Sequence, residues 1–507
     1  MAMRRTSRFS RRRMLQGTAW MLGGLSGSAI LAACGGSPAP PAPNPAGSTG
    51  GAPPAKPAES KPAAPAAQPA ATTAGAAANP SGATQRVVIR DHDWIQGTPG
   101  QPSDWYDGFI AKFEEANPDI KVEREWFPRA EMHAKQVALA ATGQIGDTVR
   151  INLAPIVSEL QIKGVMHDLN SLYEGDKEWV EKDLPQFWPG NLKTYTRDGK
   201  LWGLPVVGHP GAVHYFINKT MAEKNGLKMP PGDGKWSFED LHTLAKGLTK
   251  SEGGRTTVYG VIPPINNNSA NEGLVSFLRA HAGDLFDAEG KKCLLNTAES
   301  KAGLRVVAEM YKQGWAQPWA PNIDDQRQEL FFGQRVGMII QTAFAASAWP
   351  GQIAKLAQSF EMEVVPIPVG PTGKHATQVS SDGKGIAKLT KNPDKAWRVL
   401  SRLYTSQRHG IERFANGLGS PGSRFDVWNS DEFRQKAPKL DNIAKTLVLP
   451  PAPEMVAWHH PANGRFFETE PILINEFVKV TLGQLDVDKF ADDATRQIQE
   501  IMDKPTV

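Results

Sequence analysis

The stretch from Asp198 to Asn218 constrains the fold most. It reads Asp-Gly-Lys-Leu-Trp-Gly-Leu-Pro-Val-Val-Gly-His-Pro-Gly-Ala-Val-His-Tyr-Phe-Ile-Asn. Asp198-Gly199 is a tight-turn dipeptide, and Gly203, Pro205, Gly208, Pro210 and Gly211 keep the segment out of a helix. Val213 to Ile217 then resumes as a β-branched and aromatic strand. One strand ends, the chain makes an irregular crossing, and a new strand begins with enough chain on either side for a lobe of its own. Upstream, the residues around Ile89, Val122 and Ile151 read as strands separated by amphipathic helices, one opening near Ser103 and one near Glu131. Strand, helix, strand, helix, strand is the pattern of a parallel sheet with right-handed crossovers. Ligands of such sheets sit beyond the carboxyl ends of the strands, here near Trp94 and Asn152.

Downstream, Ser237 and Asp240 are spaced as a capping box, with Phe238, Leu241, Leu244 and Leu248 on one helical face. Pro393 is placed to open a helix whose Ala396, Val399, Leu400 and Leu403 face inward. Val487, Phe490, Ala491, Ala494, Ile498 and Ile501 mark a last amphipathic helix.

The amino terminus is built differently. Residues 1–33 hold six arginines and no Asp, Glu or Lys, followed by a moderately apolar run and Leu31-Ala32-Ala33-Cys34. Basic, apolar and small-residue regions in that order read as a signal peptide ending in a lipobox, with Ser10 to Gln16 similar to a twin-arginine export motif and Cys34 as the lipidated residue. From 34 to 84 the chain is mostly Pro, Ala, Gly, Ser and Thr, too poor in large apolar residues to offset its ordering entropy, and is expected to be a disordered tether. The formal charge of +4 is misleading. Six of the 57 basic residues lie in 1–33, leaving 51 against 53 acidic ones, so nothing points to nucleic acid. Only two cysteines are present, and with Cys34 acylated Cys293 has no partner in the chain.

A family resemblance rests on short motifs in a fixed order. Asp198 to Pro205, the aromatic strand ending in Asn218, Phe113 to Val122 (Phe-Glu-Glu-Ala-Asn-Pro-Asp-Ile-Lys-Val), Trp236 to Leu241 and Leu330 to Ile340 together resemble the extracellular solute-binding proteins, family 1, of sugar-type ABC importers. The resemblance covers about Val87 to Met502 and implies an α/β, two-lobe, periplasmic-binding-protein-like fold. Each lobe would be a mainly parallel sheet flanked by helices, with the ligand cleft at the hinge. It implies a chain that crosses between lobes more than once. Residues 85–211 with 372–412 would form the first lobe and 212–371 with 413–507 the second, the Pro-rich run from Val365 to Gly373 being the return crossing. The implied partners are a small-molecule ligand, permease subunits and, through Cys34, the membrane. The protein would be a monomer without cofactor, on the outer face of the cell membrane.

No catalytic constellation is visible: no Gly-x-Ser-x-Gly elbow, phosphate loop or His-Glu-x-x-His. Asp91-His92-Asp93 and His459-His460 are poor metal sites, because adjacent strand residues point to opposite faces. A glycan hydrolase would need paired carboxylates across a cleft, and no motif pairs them. The chain has 14 Trp against 7 Tyr, and flat indole faces suit sugar rings. Trp94, Tyr215, Trp349 and Trp458 are the aromatic candidates for the ligand site, Trp94 and Trp349 foremost, with Asn152 and Asp382 as polar ones. Trp202 has a weaker claim, since its place in the family packs behind the cleft. The alternative ligand is an amino acid, peptide or organic anion, with Arg129 or Arg150 on its carboxylate.

Overall fold

The computed structural model describes residues 86–94, 103–152, 154–209, 213–231, 234–263, 270–320, 323–343, 345–416, 422–440, 455–458, 463 and 465–505. All of them belong to the unit Pro80–Val507. The signal peptide, Cys34, the tether and His459-His460 lie outside the described residues. In chain order the strands are β1 (Val87–Trp94), β2 (Ile120–Phe127), β3 (Thr148–Asn152), β4 (Thr196–Arg197), β5 (Lys200–Leu201), β6 (Leu204–His209), β7 (Val213–Asn218), β8 (Lys250–Glu252), β9 (Arg255–Ile262), β10 (Val336–Thr342), β11 (Met362–Pro366), β12 (His375–Gln378), β13 (Ser380–Ile386) and β14 (Met455–Trp458).

They form two five-stranded sheets, β2-β1-β3-β13-β6 and β11-β7-β10-β9-β8, and two small pairs, β12-β14 and β4-β5. The first sheet begins as the sequence predicts, with β1 parallel to β2 and to β3. Helix Ser103–Ala116 bridges β1 and β2, burying Tyr106, Ile110 and Phe113. Asp198 and Gly199 both take positive φ (51° and 70°) between the paired β4 and β5, as a two-residue hairpin turn requires.

The sheets are mixed rather than mainly parallel. β13 runs antiparallel to β3 and to β6, and β7 antiparallel to β10 and to β11. Only β9 and β10 pair in parallel in the second sheet. The reason is the route of the chain: β7 and β13 are the strands that arrive from the other lobe, and they enter against the local direction.

β7 is buried along its whole length. Val213, Tyr215 and Ile217 join one apolar cluster with Trp236, Leu241 and Phe477. Phe216 joins another on the opposite face with Phe331, Trp349, Ile411 and Trp428. The capping box at Ser237 and Asp240 is formed, and Phe238, Leu241, Leu244 and Leu248 are buried as expected. In helix Val487–Met502 the buried stripe is the expected one, except that Met502 is buried and Ile501 is not.

The passage from first to second sheet falls between His209 and Val213. The Pro-rich run read from sequence as the return crossing stays with the second sheet. Met362–Pro366 is β11, Val369 N donates to Trp236 O (2.8 Å), and His375 Nδ1 lies 2.9 Å from Ile367 O. The chain enters the first sheet only at Ser380, after β12 has paired with β14. That pairing joins segments far apart in sequence, so no local pattern announces it. A third passage follows Tyr404, which packs with the first sheet, and precedes Ile411, which packs with the second.

Candidate functional site

The strand ends of the first sheet meet at the passages. β3 ends at Asn152, paired with Asp382 of β13. Asp382 is also paired with Val207 of β6, and Ser380 with His209. Gln378 and Trp458, the last residues of β12 and β14, are paired one residue before the return at Val379. Between the pairs Asp382–Val207 and Gly383–Pro205 the register skips Val206, a bulge in β6, a device found beside binding sites.

Alternation along β13 divides its side chains. A Cβ on Gly383 would lie 2.4 Å from the Tyr195 ring, and one on Gly385 1.9 Å from Met166 Cε and 2.7 Å from Trp202 O. At positions 383 and 385 that face has no room for a side chain. Asp382 and Lys384 point the other way, into a chain of alternating charges. Tyr404 OH donates to Asp91 Oδ2 (2.6 Å) and Thr148 Oγ1 to Asp91 Oδ1 (2.6 Å). Lys384 Nζ lies 2.7 Å from Asp91 Oδ1 and 2.8 Å from Asp93 Oδ2, with the Tyr404 ring 4.4 Å away. Arg150 joins Asp93 (3.5 Å) to Asp382 (3.2 Å). Burial works against the Arg150 charge, but Asp93 and Asp382 more than offset it and hold the guanidinium above its ordinary value. Burial, then Asp91, pushes the Tyr404 phenol well up, so it stays a donor. The side chains of Arg150, Lys384 and Asp91 have no exposure, and that of Asp93 has 4 %; Asp382 keeps 26 %. The chain thus runs from the core to a carboxylate at the strand ends.

The helix carrying Tyr404 switches to π geometry over Val399–Tyr404, a form often tied to function. Beside it His409 is fully enclosed, its Nε2 3.0 Å from Tyr106 OH. Burial, then the charges of Arg413, Arg150 and Lys384, hold its imidazole well below the ordinary range, Asp93 opposing. The fold therefore binds fewer protons than the unfolded chain below about pH 6.5, and stability falls as the pH drops from there. His409→Gln should lose less melting temperature than the wild type between pH 7 and 5, the slope differing by up to ~1.4 kcal/mol per pH unit. Equal slopes would remove His409 as their source.

Of the six residues singled out from sequence, Trp94, Asn152 and Trp458 end strands at this junction, and their side chains lie outside the described residues. Asp382 stands at its edge. Tyr215 and Trp349 do not reach it. Tyr215 is fully enclosed, edge-on to Trp236 at 5.5 Å. Trp349 is 1 % exposed, against Phe216 (5.3 Å) and Phe332 (5.4 Å). The helix Ala345–Ile353 that follows β10 turns the indole back into the core. Trp202 is half-buried beside the first lobe's core, donating to Arg197 O (3.3 Å). Sequence reasoning missed Asp91, Asp93, Lys384 and Tyr404. The signal was there: two carboxylates at i and i+2 on a strand covered by helices require buried cations. His92 between them faces away, its Nε2 3.2 Å from Glu125 Oε2 and its ring edge-on to Phe127.

Two α/β lobes joined by several passages, with strand ends turned to the joint, define the two-lobe fold of the periplasmic binding proteins. The model for bacterial extracellular solute-binding proteins matches residues 108–441, well over half of the chain, and the chain belongs to that family. A binding protein of Brucella abortus (strain 2308) is 25% identical over 399 residues, covering 77% of this chain and 88% of its own. The arabinooligosaccharide-binding protein of Bacillus subtilis (strain 168) is 24% identical over 348 residues, 66% of this chain and 74% of its own. Among solved structures, an ABC substrate-binding protein from Listeria monocytogenes in complex with cycloalternan superposes with a TM-score of 0.66 at 20% identity, over 82% of this chain and 99% of that one.

Proposed function

We propose that the protein captures a neutral carbohydrate, an oligosaccharide by preference, between its lobes and delivers it unaltered to the permease of an ABC transporter. The observation that carries the reading is the state of the charged groups at the strand ends. Arg150, the residue best placed to meet an anionic ligand, is spent on Asp93 and Asp382. What reaches the junction is the Asp382 carboxylate, an acceptor suited to hydroxyl groups and repelling to another carboxylate. The relatives add to this: one is named for arabino-oligosaccharides and one holds cycloalternan. Trp94 and Trp458, ending β1 and β14, would supply stacking faces. Export through the signal peptide and acylation at Cys34 would hold the monomer on the outer face of the membrane, the tether giving it reach.

The test is calorimetric titration of the purified protein with arabinotriose, maltotriose, trigalacturonate and an amino-acid mixture. Saturable binding of a neutral trisaccharide, with a smaller radius of gyration by X-ray scattering in the bound state, is expected. Binding confined to trigalacturonate or amino acids would replace the carbohydrate reading with the anionic one. Labelled fatty acid should mark the wild type and not Cys34→Ala.

A further inference from the structure

We propose that Arg150 is a positioning residue for ligand recognition: anchored on Asp93, its guanidinium fixes the Asp382 carboxylate at the strand ends as the acceptor for hydroxyl groups of a neutral sugar. The proposal rests on the carbohydrate reading above and names the group that would enforce it.

Three observations carry it. The first is the gradient of burial along Tyr404, Asp91, Lys384, Asp93, Arg150 and Asp382, in which only the last is appreciably exposed. Buried ion pairs contribute little net stability, because desolvation consumes most of the attraction. A succession of them running to one open end is therefore better suited to orientation than to stability. The second is the bulge in β6, where Val206 has no partner on β13 and the register slips beside Asp382, the residue that emerges. The third is acceptor capacity. An ionised carboxylate offers about four lone-pair sites, and Arg150 Nη2 approaches Oδ2 alone, at 3.2 Å. The remaining sites can take two hydroxyl donors from one ring. Held by a cation that is itself held, the carboxylate loses little freedom when it binds, which lowers the entropic cost of recognition.

The test compares wild type, Asp382→Asn, Arg150→Lys, Arg150→Met and the double variant Asp382→Asn/Arg150→Met. Each is titrated with arabinotriose and maltotriose, and a ligand-free crystal structure is determined for the Arg150 variants. Asp382→Asn should weaken the trisaccharide by about tenfold or more, as expected for losing hydrogen bonds to a charged group. Arg150→Met should do the same, Arg150→Lys should recover part of the loss, and the double variant should bind no more weakly than Asp382→Asn. In the ligand-free structures Asp382 should leave its orientation in Arg150→Met and keep it in Arg150→Lys. Binding within twofold of wild type in Asp382→Asn, losses that multiply in the double variant, or an unmoved Asp382 without Arg150 would each overturn the proposal. If Arg150→Met does not fold, Asp382→Asn and Arg150→Lys decide it. If neither trisaccharide binds the wild type, the carbohydrate reading falls, and the ligand-free structures still settle whether Arg150 positions Asp382.

Discussion

Trp349→Ala is expected to cost the fold about 3–5 kcal/mol, the range for removing a large aromatic from a packed core. The indole has 1 % of its surface exposed and touches Phe216 on β7, Phe331 and Phe332 on the preceding helix. The cluster also includes Ile411, Phe414 and Trp428, which follow the third passage. A hole at Trp349 would therefore loosen the sheet and the later helices together. A melting curve should show a fall of many degrees, while the affinity of the folded fraction for its sugar stays within a few-fold. A large loss of affinity at an unchanged melting temperature would return Trp349 to the cleft.

Lys384→Met should be comparably damaging for a different reason. Its ammonium lies against the carboxylates of both Asp91 and Asp93, which are enclosed with it, and Arg150 reaches Asp93 from the other side. Removing one partner of a buried pair leaves an uncompensated charge and costs about 3–5 kcal/mol. Asp91→Asn combined with Lys384→Met should recover much of the loss, since the substituted amide would carry no charge to strand and its oxygen could still accept from Thr148 or Tyr404. Denaturant melts of the single and double variants decide it. Losses that simply add would mean the lysine matters for its packing and not for its charge.

The local parts of the fold were open to reading from the sequence: the turn at Asp198-Gly199, the capping box at Ser237 and the buried face of helix Val487–Met502 all depend on residues within a few positions of one another. Pairings that join distant segments were not. β12 with β14 unites His375 with Met455, and nothing near either residue marks the other as its neighbour. That is why the return crossing looked earlier than it is. The site divides along the same line. Asp382 could be picked out only through the family resemblance, as it stands where members often have the first Gly of a Gly-Gly pair before a strand, and the strand ends at Trp94 and Asn152 follow from the β/α alternation. The charges behind Asp382 are a product of three strands and a helix meeting, so only the need for cations beside Asp91 and Asp93 was visible in advance. Trp349 misled because position after a strand suggests a mouth, whereas the helix that follows decides where the ring goes.

The place of β13 has a consequence for how the protein is made. It lies between β3 and β6, in the middle of its sheet, yet the whole of the second sheet is translated between β6 and β13. At ~5–20 residues per second the ribosome needs on the order of 10–50 seconds to pass from β3 to β13. Until β13 arrives, β3 and, once it is made, β6 each present an unpaired edge, the hazard that favours wrong pairing and aggregation. The amino-terminal sheet is therefore completed only after every strand of the second sheet has been translated.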